Sequence, residues 1–261
     1  MGTIVIKIGG KAAEQTAELA ALCNEMRVLS REHRLILVHG GGAEVTAVSR
    51  RLGIEAVFHD GVRVTSPEEM DIVDMVLAGK INKQLVRLLR TRGVNAVGLS
   101  GSDGGIFTGR AVRAGSVVQG SAQTRTGEIT ATDDQLLVLL LSNGYLPVIS
   151  STSMDAEGQG LNINADAAAF GMAARMGASA LVFLSDIPGI LSEGSIVQAL
   201  SAEEARGLIA KGVIKGGMIP KVTASLEAMN GGVQKVIIGQ YEGAGSLGRL
   251  LEGKQGTRLW K

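Results

Sequence analysis

Disulfides cannot hold this chain together. Its 261 residues include one cysteine, Cys23, so no bridge can close within it, and a reducing, cytoplasmic setting is expected. Histidine is almost as scarce. His33, His39 and His59 are the only three, and none stands at metal-ligand spacing from another or from Cys23, which argues against a metal centre built on them. His39 closes an apolar strand and reads as structural. No Gly-x-Ser-x-Gly falls at a strand-to-helix turn, which argues against a serine hydrolase. No apolar run approaches the roughly 20 residues that a membrane helix needs. The segment Met1–Lys11 reads as a strand and a glycine turn rather than a charged, cleavable leader. Neither sign of charge dominates: 26 Lys and Arg face 25 Asp and Glu. A net charge of +1 leaves no electrostatic footprint for nucleic acid or an anionic membrane.

Glycine, by contrast, is abundant, with 37 residues where ordinary usage is about 7%. The glycines are not periodic, so collagen and simple repeats are excluded, and they point instead to tight turns or to backbone close to a ligand. Short apolar, β-branched runs alternate with longer helical patterns. The strand candidates are Thr3–Ile8, Leu35–His39, Ala96–Leu99, Leu146–Ser150, Ala180–Leu184 and Lys235–Ile238. Helical patterns cover approximately Ala12–Arg31, Ala43–Leu52, Glu68–Thr91, Asp133–Asn143, Ala165–Met176 and Lys221–Asn230. Continuous rather than alternating apolar strands, separated by helices, predict a largely parallel sheet covered on both faces. Two segments break the rhythm and read as inserted antiparallel hairpins: Gly105–Gly127, and Ser151–Ile163 around the turn Asp155–Gly158. No linker divides the chain, and a soft lobe boundary near residue 176 gives lobes 1–176 and 177–261.

Ligands of parallel sheets bind outside the carboxyl ends of the strands. Three strands here end in glycine or a polar turn: Lys7-Ile8-Gly9-Gly10, His39-Gly40-Gly41-Gly42 and Ser185-Asp186-Ile187-Pro188-Gly189. Glycines before a helix offer free backbone N–H groups at the positive end of its dipole, which suits an anion. Two nucleotide motifs are set aside. Gly243-Ala-Gly245-Ser-Leu-Gly248 has the G-x-G-x-x-G form, but the further strand and acidic residue of a dinucleotide fold do not follow. Gly248–Lys254 approaches a phosphate loop, but Gln255 stands where Ser or Thr would bind magnesium.

Several polar residues stand close to these turns. Lys7 interrupts an apolar strand beside Gly9; burying an unpaired ammonium is costly, so Lys7 either emerges at the strand end or faces a lasting anion. Lys221, opening a helix after Lys215-Gly216-Gly217-Met218-Ile219-Pro220, reads by itself as an ordinary exposed helix lysine. Arg63, in Asp60-Gly61-Val62-Arg63-Val64-Thr65, can fork onto a carboxylate or form a surface ion pair. The following helix has a candidate capping box in Ser66 and Glu69. Asn162, Asn164 and Asp166 alternate with apolar residues and should project to one side, although Asn164 can equally be a helix cap.

The ordered set of these segments resembles the amino-acid kinase family, over nearly the whole chain. It comprises IVIKIGGK at Ile4–Lys11, LVHGGG at Leu37–Gly42, DGVRVT at Asp60–Thr65 and LAGKINK at Leu77–Lys83. VGLSGSDG at Val97–Gly104, NGYLPVISS at Asn143–Ser151, NINADAAA at Asn162–Ala169, LSDIPGIL at Leu184–Leu191 and IKGGMIPKV at Ile214–Val222 complete it. RVT together with NINAD is similar to the branch acting on acetylated glutamate. The resemblance implies a three-layer αβα sandwich with a mainly parallel sheet, and ATP-dependent phosphorylation of the γ-carboxylate of N-acetyl-L-glutamate in arginine biosynthesis. It implies Lys7 and Lys221 as the two lysines at the transferring phosphoryl group, with Asp166 holding both. Gly41, Gly42, Arg63, Asn162 and Asn164 would bind the acylated amino acid, the first lobe's ligand. The nucleotide, on the second lobe, would meet Gly9, Gly10, Asp186, Ile187, Pro188, Gly189, Ile190, Leu191, Val213, Ile214, Lys215, Gly217 and Met218. Mg²⁺ would ride on the nucleotide, with no metal site of the protein's own. The expected partners are small molecules, with a homodimer as the assembly. Arginine-inhibited members carry an extra N-terminal helix, so a chain opening at the first strand is expected to be insensitive to arginine. Lys11 departs from the small or apolar residues common in the family and would add a cation near the phosphates.

A carboxylate acceptor, with an ordinary pKa near 4.3, is already ionised at neutral pH and needs no general base. The alternatives are a kinase for aminoadipate or glutamate on an acidic carrier protein, an N-succinylglutamate kinase, and a non-catalytic amino-acid or nucleotide sensor.

Overall fold

The computed structural model describes residues 1–9, 16–59, 61–112, 124–192, 194–216 and 218–261. The predicted parallel sheet is present and larger than expected. In chain order the strands are β1 Thr3–Ile8, β2 Arg34–His39, β3 Val57–His59, β4 Val62–Val64, β5 Ala96–Leu99, β6 Phe107–Ala111, β7 Thr126–Thr132 and β8 Leu146–Ser150, then β9 Thr152–Met154, β10 Gly160–Ile163, β11 Ala180–Ser185, β12 Leu191–Ser192, β13 Ser195–Ile196, β14 Ala199–Ser201, β15 Lys235–Gln240 and β16 Thr257–Trp260. Eight of them form one sheet in the order β14-β16-β15-β11-β1-β2-β8-β5. All of its neighbours pair in parallel except β15 and β16, which run antiparallel.

The β1 sequence shows why three layers form. Its side chains alternate between faces. Ile4, Ile6 and Ile8 join one buried cluster, with Leu22 and Met26 of the helix Thr16–Leu29 and Leu85 and Leu89 of Asn82–Arg90. Val5 joins the other, with Ala168, Ala169 and Met172 of the helix Ala165–Arg175 and Val222 and Leu226 of Met218–Asn230. Phe183 of β11 stacks at 4.7 Å on Phe170 in this second cluster. The hairpin expected over Gly105–Gly127 is present but runs on to Thr132, and the one expected over Ser151–Ile163 is present. β6 pairs antiparallel with β7 and β9 with β10, and parallel pairing of β7 with β10 joins them into a second sheet. Within the first hairpin, residues 113–123 lie outside the described part.

Three differences from the sequence reading have physical causes. The stretch expected as one helix over Glu68–Thr91 contains a π-helical turn at Met75–Ile81, between the α-helices Pro67–Asp74 and Asn82–Arg90. One inserted residue barely disturbs an apolar period. The helix expected over Lys221–Asn230 starts at Met218, three residues earlier, because a proline is tolerated in a first turn that needs no N–H bond. Finally, the short strands β12, β13, β14 and β16 and the helices Ala202–Ala210 and Ser246–Leu251 give too little periodicity to be read. Gly245 takes a left-handed turn (φ 82°) ahead of the last of these, so the G-x-G-x-x-G stretch caps a short surface helix. The strand that follows it, β16, pairs antiparallel with β15.

Candidate active site

Lys7 lies two residues beyond Val5 and so faces the same layer, toward the start of the helix Ala165–Arg175. Its neighbours in the sheet are Phe183 of β11 and Val38 of β2. The anion that a buried lysine requires is Asp166, with Lys7 Nζ 2.6 Å from its Oδ1. No hydrogen bond among the described residues is aligned on that oxygen, so the contact is chiefly electrostatic. Lys221 Nζ is 3.9 Å from Asp166 Oδ2 and donates to Ser185 Oγ at 3.1 Å. One carboxylate thus stands between two ammonium groups. Side-chain exposures of 13% for Lys7, 18% for Lys221 and 28% for Asp166 leave the trio partly open and poorly screened by water, and Lys7 and Asp166, though not Lys221, line a cleft. Asp166 also sits in the first turn of its helix, where the dipole favours a negative charge.

The cleft is a cavity of about 590 Å³, lined by Lys7, Gly9, Gly41, Gly42, Arg63, Asn162, Asn164 and Asp166 among others. Eight residues singled out in the sequence therefore meet at one place. The glycine loop after β2 leads directly into the helix Gly42–Arg51, whose N-cap, Gly41, supplies no side-chain bond, so the first-turn N–H groups have no side-chain cap. Glycine at 41 is a packing requirement: a Cβ there would run into Ile81 and would lie 2.9 Å from Leu77 Cδ2, both on the π-helical turn. Beneath the loop, His39 is fully buried. Burial lowers its pKa to about 4, so it is neutral at ordinary pH. Its Nδ1–H donates to Gly40 O at 3.0 Å, and its Nε2 accepts from Asn82 Nδ2 at 3.1 Å.

Arg63 is buried, not on the surface. It pairs with Glu69 at 2.6 Å and donates from Nη2 to Gly42 O (2.9 Å) and Thr46 Oγ1 (2.5 Å), with Phe58 stacked 4.8 Å over the guanidinium. The expected capping box is half formed. Ser66 Oγ accepts from Glu69 N–H, but the Glu69 side chain turns inward to Arg63. Asn162 Nδ2 donates to Thr65 Oγ1 at 2.9 Å, which leaves its amide oxygen as an acceptor beside the cavity. Asn164 does cap its helix, accepting from Asp166 N and Ala167 N, while also lining the cavity.

Of the predicted nucleotide residues, Gly9 lines this cavity; the others that are described lie apart from it, in the loop after β11 and around the start of the helix Met218–Asn230. Ile190 and Ile214 are core residues, and Ile190 N–H donates to Thr257 Oγ1, so neither presents a side chain to a ligand. Asp186, Leu191 and Lys215 are exposed; Ile187, Pro188, Val213 and Met218 are half-buried, and Gly189 is buried. Gly10, Lys11 and Gly217 lie outside the described residues. Sequence reasoning missed Thr46, which accepts from Arg63, and the cavity-lining Thr126, whose Oγ1 donates to Arg63 O; it quoted Ser185 and Thr65 within motifs without giving them a role. Single hydroxyl residues leave no pattern, and only their partners identify them.

With this geometry in place, the comparisons with known proteins are specific. The profile of the amino acid kinase family matches residues 2–240, and the chain belongs to that family. It is 41% identical over 237 residues to the acetylglutamate kinase of Geobacillus stearothermophilus, covering 90% of this chain and 89% of that protein. The solved structure of smu.665 from Streptococcus mutans superposes with a TM-score of 0.79 at 25% identity, over 99% of this chain and 98% of that one. The carbamate kinase of Giardia shares the fold, with a TM-score of 0.73 at 17% identity, over 100% and 99% of the two chains.

Proposed function

We propose that the protein transfers the terminal phosphoryl group of ATP to the γ-carboxylate of N-acetyl-L-glutamate, forming N-acetyl-glutamyl 5-phosphate for arginine biosynthesis. The observation that carries this reading is the Lys7–Asp166–Lys221 arrangement, of which Lys7 and Asp166 line a cavity floored by the glycine loop. The reaction brings an anion against a polyanion, so positioning and charge stabilisation supply nearly all the catalysis. Lys7 and Lys221 place positive charge on the transferring group, and Asp166 keeps both ammoniums aimed. Bare N–H groups at the start of the helix Gly42–Arg51 add to that field. Arg63 takes the α-carboxylate. The free amide oxygen of Asn162 accepts the N–H of the acylated α-nitrogen.

ATP occupies the second lobe, 177–261, through the loop after β11 and the backbone before Lys221, while the acylated amino acid occupies lobe 1–176. Mg²⁺ neutralises the phosphates and arrives with the nucleotide, because this ion keeps its waters and favours phosphate oxygens. Asp166, already shared by two lysines, is not its ligand in this reading. The enzyme works in the cytoplasm as a homodimer.

The test is acyl-phosphate formation from ATP, trapped with hydroxylamine, on acetylglutamate, succinylglutamate and free glutamate, each with and without arginine. Turnover on acetylglutamate alone is expected, unaffected by arginine. Preference for succinylglutamate would correct the acyl group. Inactivity on all three would move the assignment to a carrier-bound acceptor or a sensor.

A further inference from the structure

The mechanism above leaves one buried charge unused. Glu69 is 2% exposed, and a carboxylate so deep in a protein needs compensation. Its compensation is Arg63, itself 9% exposed, at 2.6 Å, with Ser49 Oγ donating to the same oxygen at 3.2 Å. Arg63 is a cavity-lining residue and Glu69 is not. The contacts of the guanidinium with Glu69, Gly42 O and Thr46 Oγ1 use three of its five N–H donors, and Phe58 covers one face. Among the described residues, Nε–H and the second N–H of Nη1 have no partner and remain for a ligand. A guanidinium held on three sides cannot swing, so those donors keep a fixed direction. The bond to Gly42 O also locks the arginine to the glycine loop, so two walls of the cavity keep a constant spacing.

Local structure explains how Glu69 reaches this place. Ser66 caps the helix Pro67–Asp74, which fixes residue 69 one turn in. The helix Gly42–Arg51 packs alongside and supplies Thr46 and Ser49 from successive turns of one face.

We propose that Glu69 is a positioning residue for recognition of the substrate's α-carboxylate. It acts only through Arg63, and its charge is needed to hold the guanidinium plane. The inference rests on the reading of Arg63 given above, and the experiment separates the two. Glu69→Gln keeps the size of the side chain and one acceptor but removes the charge. Steady-state kinetics are measured for the wild type, Glu69→Gln, Arg63→Lys and the double variant, varying acetylglutamate and ATP separately. The expected result is a rise in acetylglutamate KM of about 5- to 20-fold in Glu69→Gln, with kcat and ATP KM within about 2-fold. In the Arg63→Lys background the same change should add less than about 2-fold.

A raised KM in Arg63→Lys with an unchanged KM in Glu69→Gln would overturn the role of Glu69 and leave that of Arg63 standing. Unchanged KM in Arg63→Lys would overturn both. Equal rises in the two backgrounds, or a joint decline of kcat, both KM values and melting temperature, would make Glu69 a structural residue and sink the proposal. Should Glu69→Gln fail to fold, Ser49→Ala removes the second bond on the carboxylate without touching the charge. Acetylglutamate KM should then rise about 2- to 3-fold, and no rise would overturn the role.

Discussion

At the scale of single residues, the difference between a structural and a functional charge lies in what shares its contact. Arg125 and Asp155 form a tight pair at 2.5 Å, and Arg125 Nε also donates to Gly160 O, so this pair staples a hairpin. Lys7 has one carboxylate, shared with a second lysine and facing a cavity. Two cations on one anion leave net positive charge, which is wasteful for stability and useful for a phosphoryl group in transfer. Lys7→Ala should therefore lower kcat by roughly 10³-fold. ATP affinity should stay near that of the wild type, because Lys221 keeps its bonds to Ser185 and Asp166. Single-turnover kinetics with parallel nucleotide titration decide the matter. Near-normal turnover would remove Lys7 from the chemistry. Lys7 was visible in the sequence because a charge interrupts an apolar strand. Lys221 was not, since a helix lysine is ordinary until its neighbours are known. Glu69 was read as half of a capping box, and nothing local could reveal that an arginine six residues earlier would claim its side chain.

Among the elements, those with strong periodicity were legible almost to the residue. β1 and β5 match their expected limits, because each is a short apolar run closed by glycine or a polar turn. The π-helical turn was not legible, although it presses Leu77 and Ile81 against Gly41 and delivers Asn82 beneath β2. Asn82 Nδ2 reaches His39 Nε2, Val148 O and Leu99 O, thereby tying β2, β8 and β5 together. That arrangement requires a neutral imidazole, since a protonated His39 would present N–H where Asn82 donates. The pKa of His39 falls from 6.5 to about 4 on burial, so the unfolded chain binds this proton more readily than the folded one. Stability from this site is complete above pH 6.5 and declines as pH drops toward 4, by about 2 kcal/mol between pH 7 and 5. Denaturant melts of the wild type and His39→Gln over that range measure it. The wild type should lose stability more steeply on acidification, and parallel slopes would exonerate His39.

For the whole molecule, the proposed division into a substrate lobe and a nucleotide lobe would be a division of labour drawn across one sheet. β1 and β11 lie on opposite sides of residue 176 and pair in parallel from Ile4–Ala180 to Ile8–Leu184 at the sheet's centre. Both buried clusters cross the boundary: Val5 packs with Phe183 and Val236 on one face, and Ile6 with Val182 and Ile237 on the other. A fragment 1–176 would expose the central edge of β1 and half of each core, which predicts aggregation rather than a folded lobe. Calorimetry of the intact chain should accordingly show one transition with equal calorimetric and van't Hoff enthalpies. Two resolved transitions would mean that the lobes are energetically separate. Function gives a reason for the single unit. Asp166 belongs to the first lobe and Lys221 to the second, and a relative shift of even 2 Å would separate a pair already 3.9 Å apart. A nucleotide bound to the second lobe should then raise the melting temperature of the whole molecule, because no part can unfold without taking the nucleotide site with it.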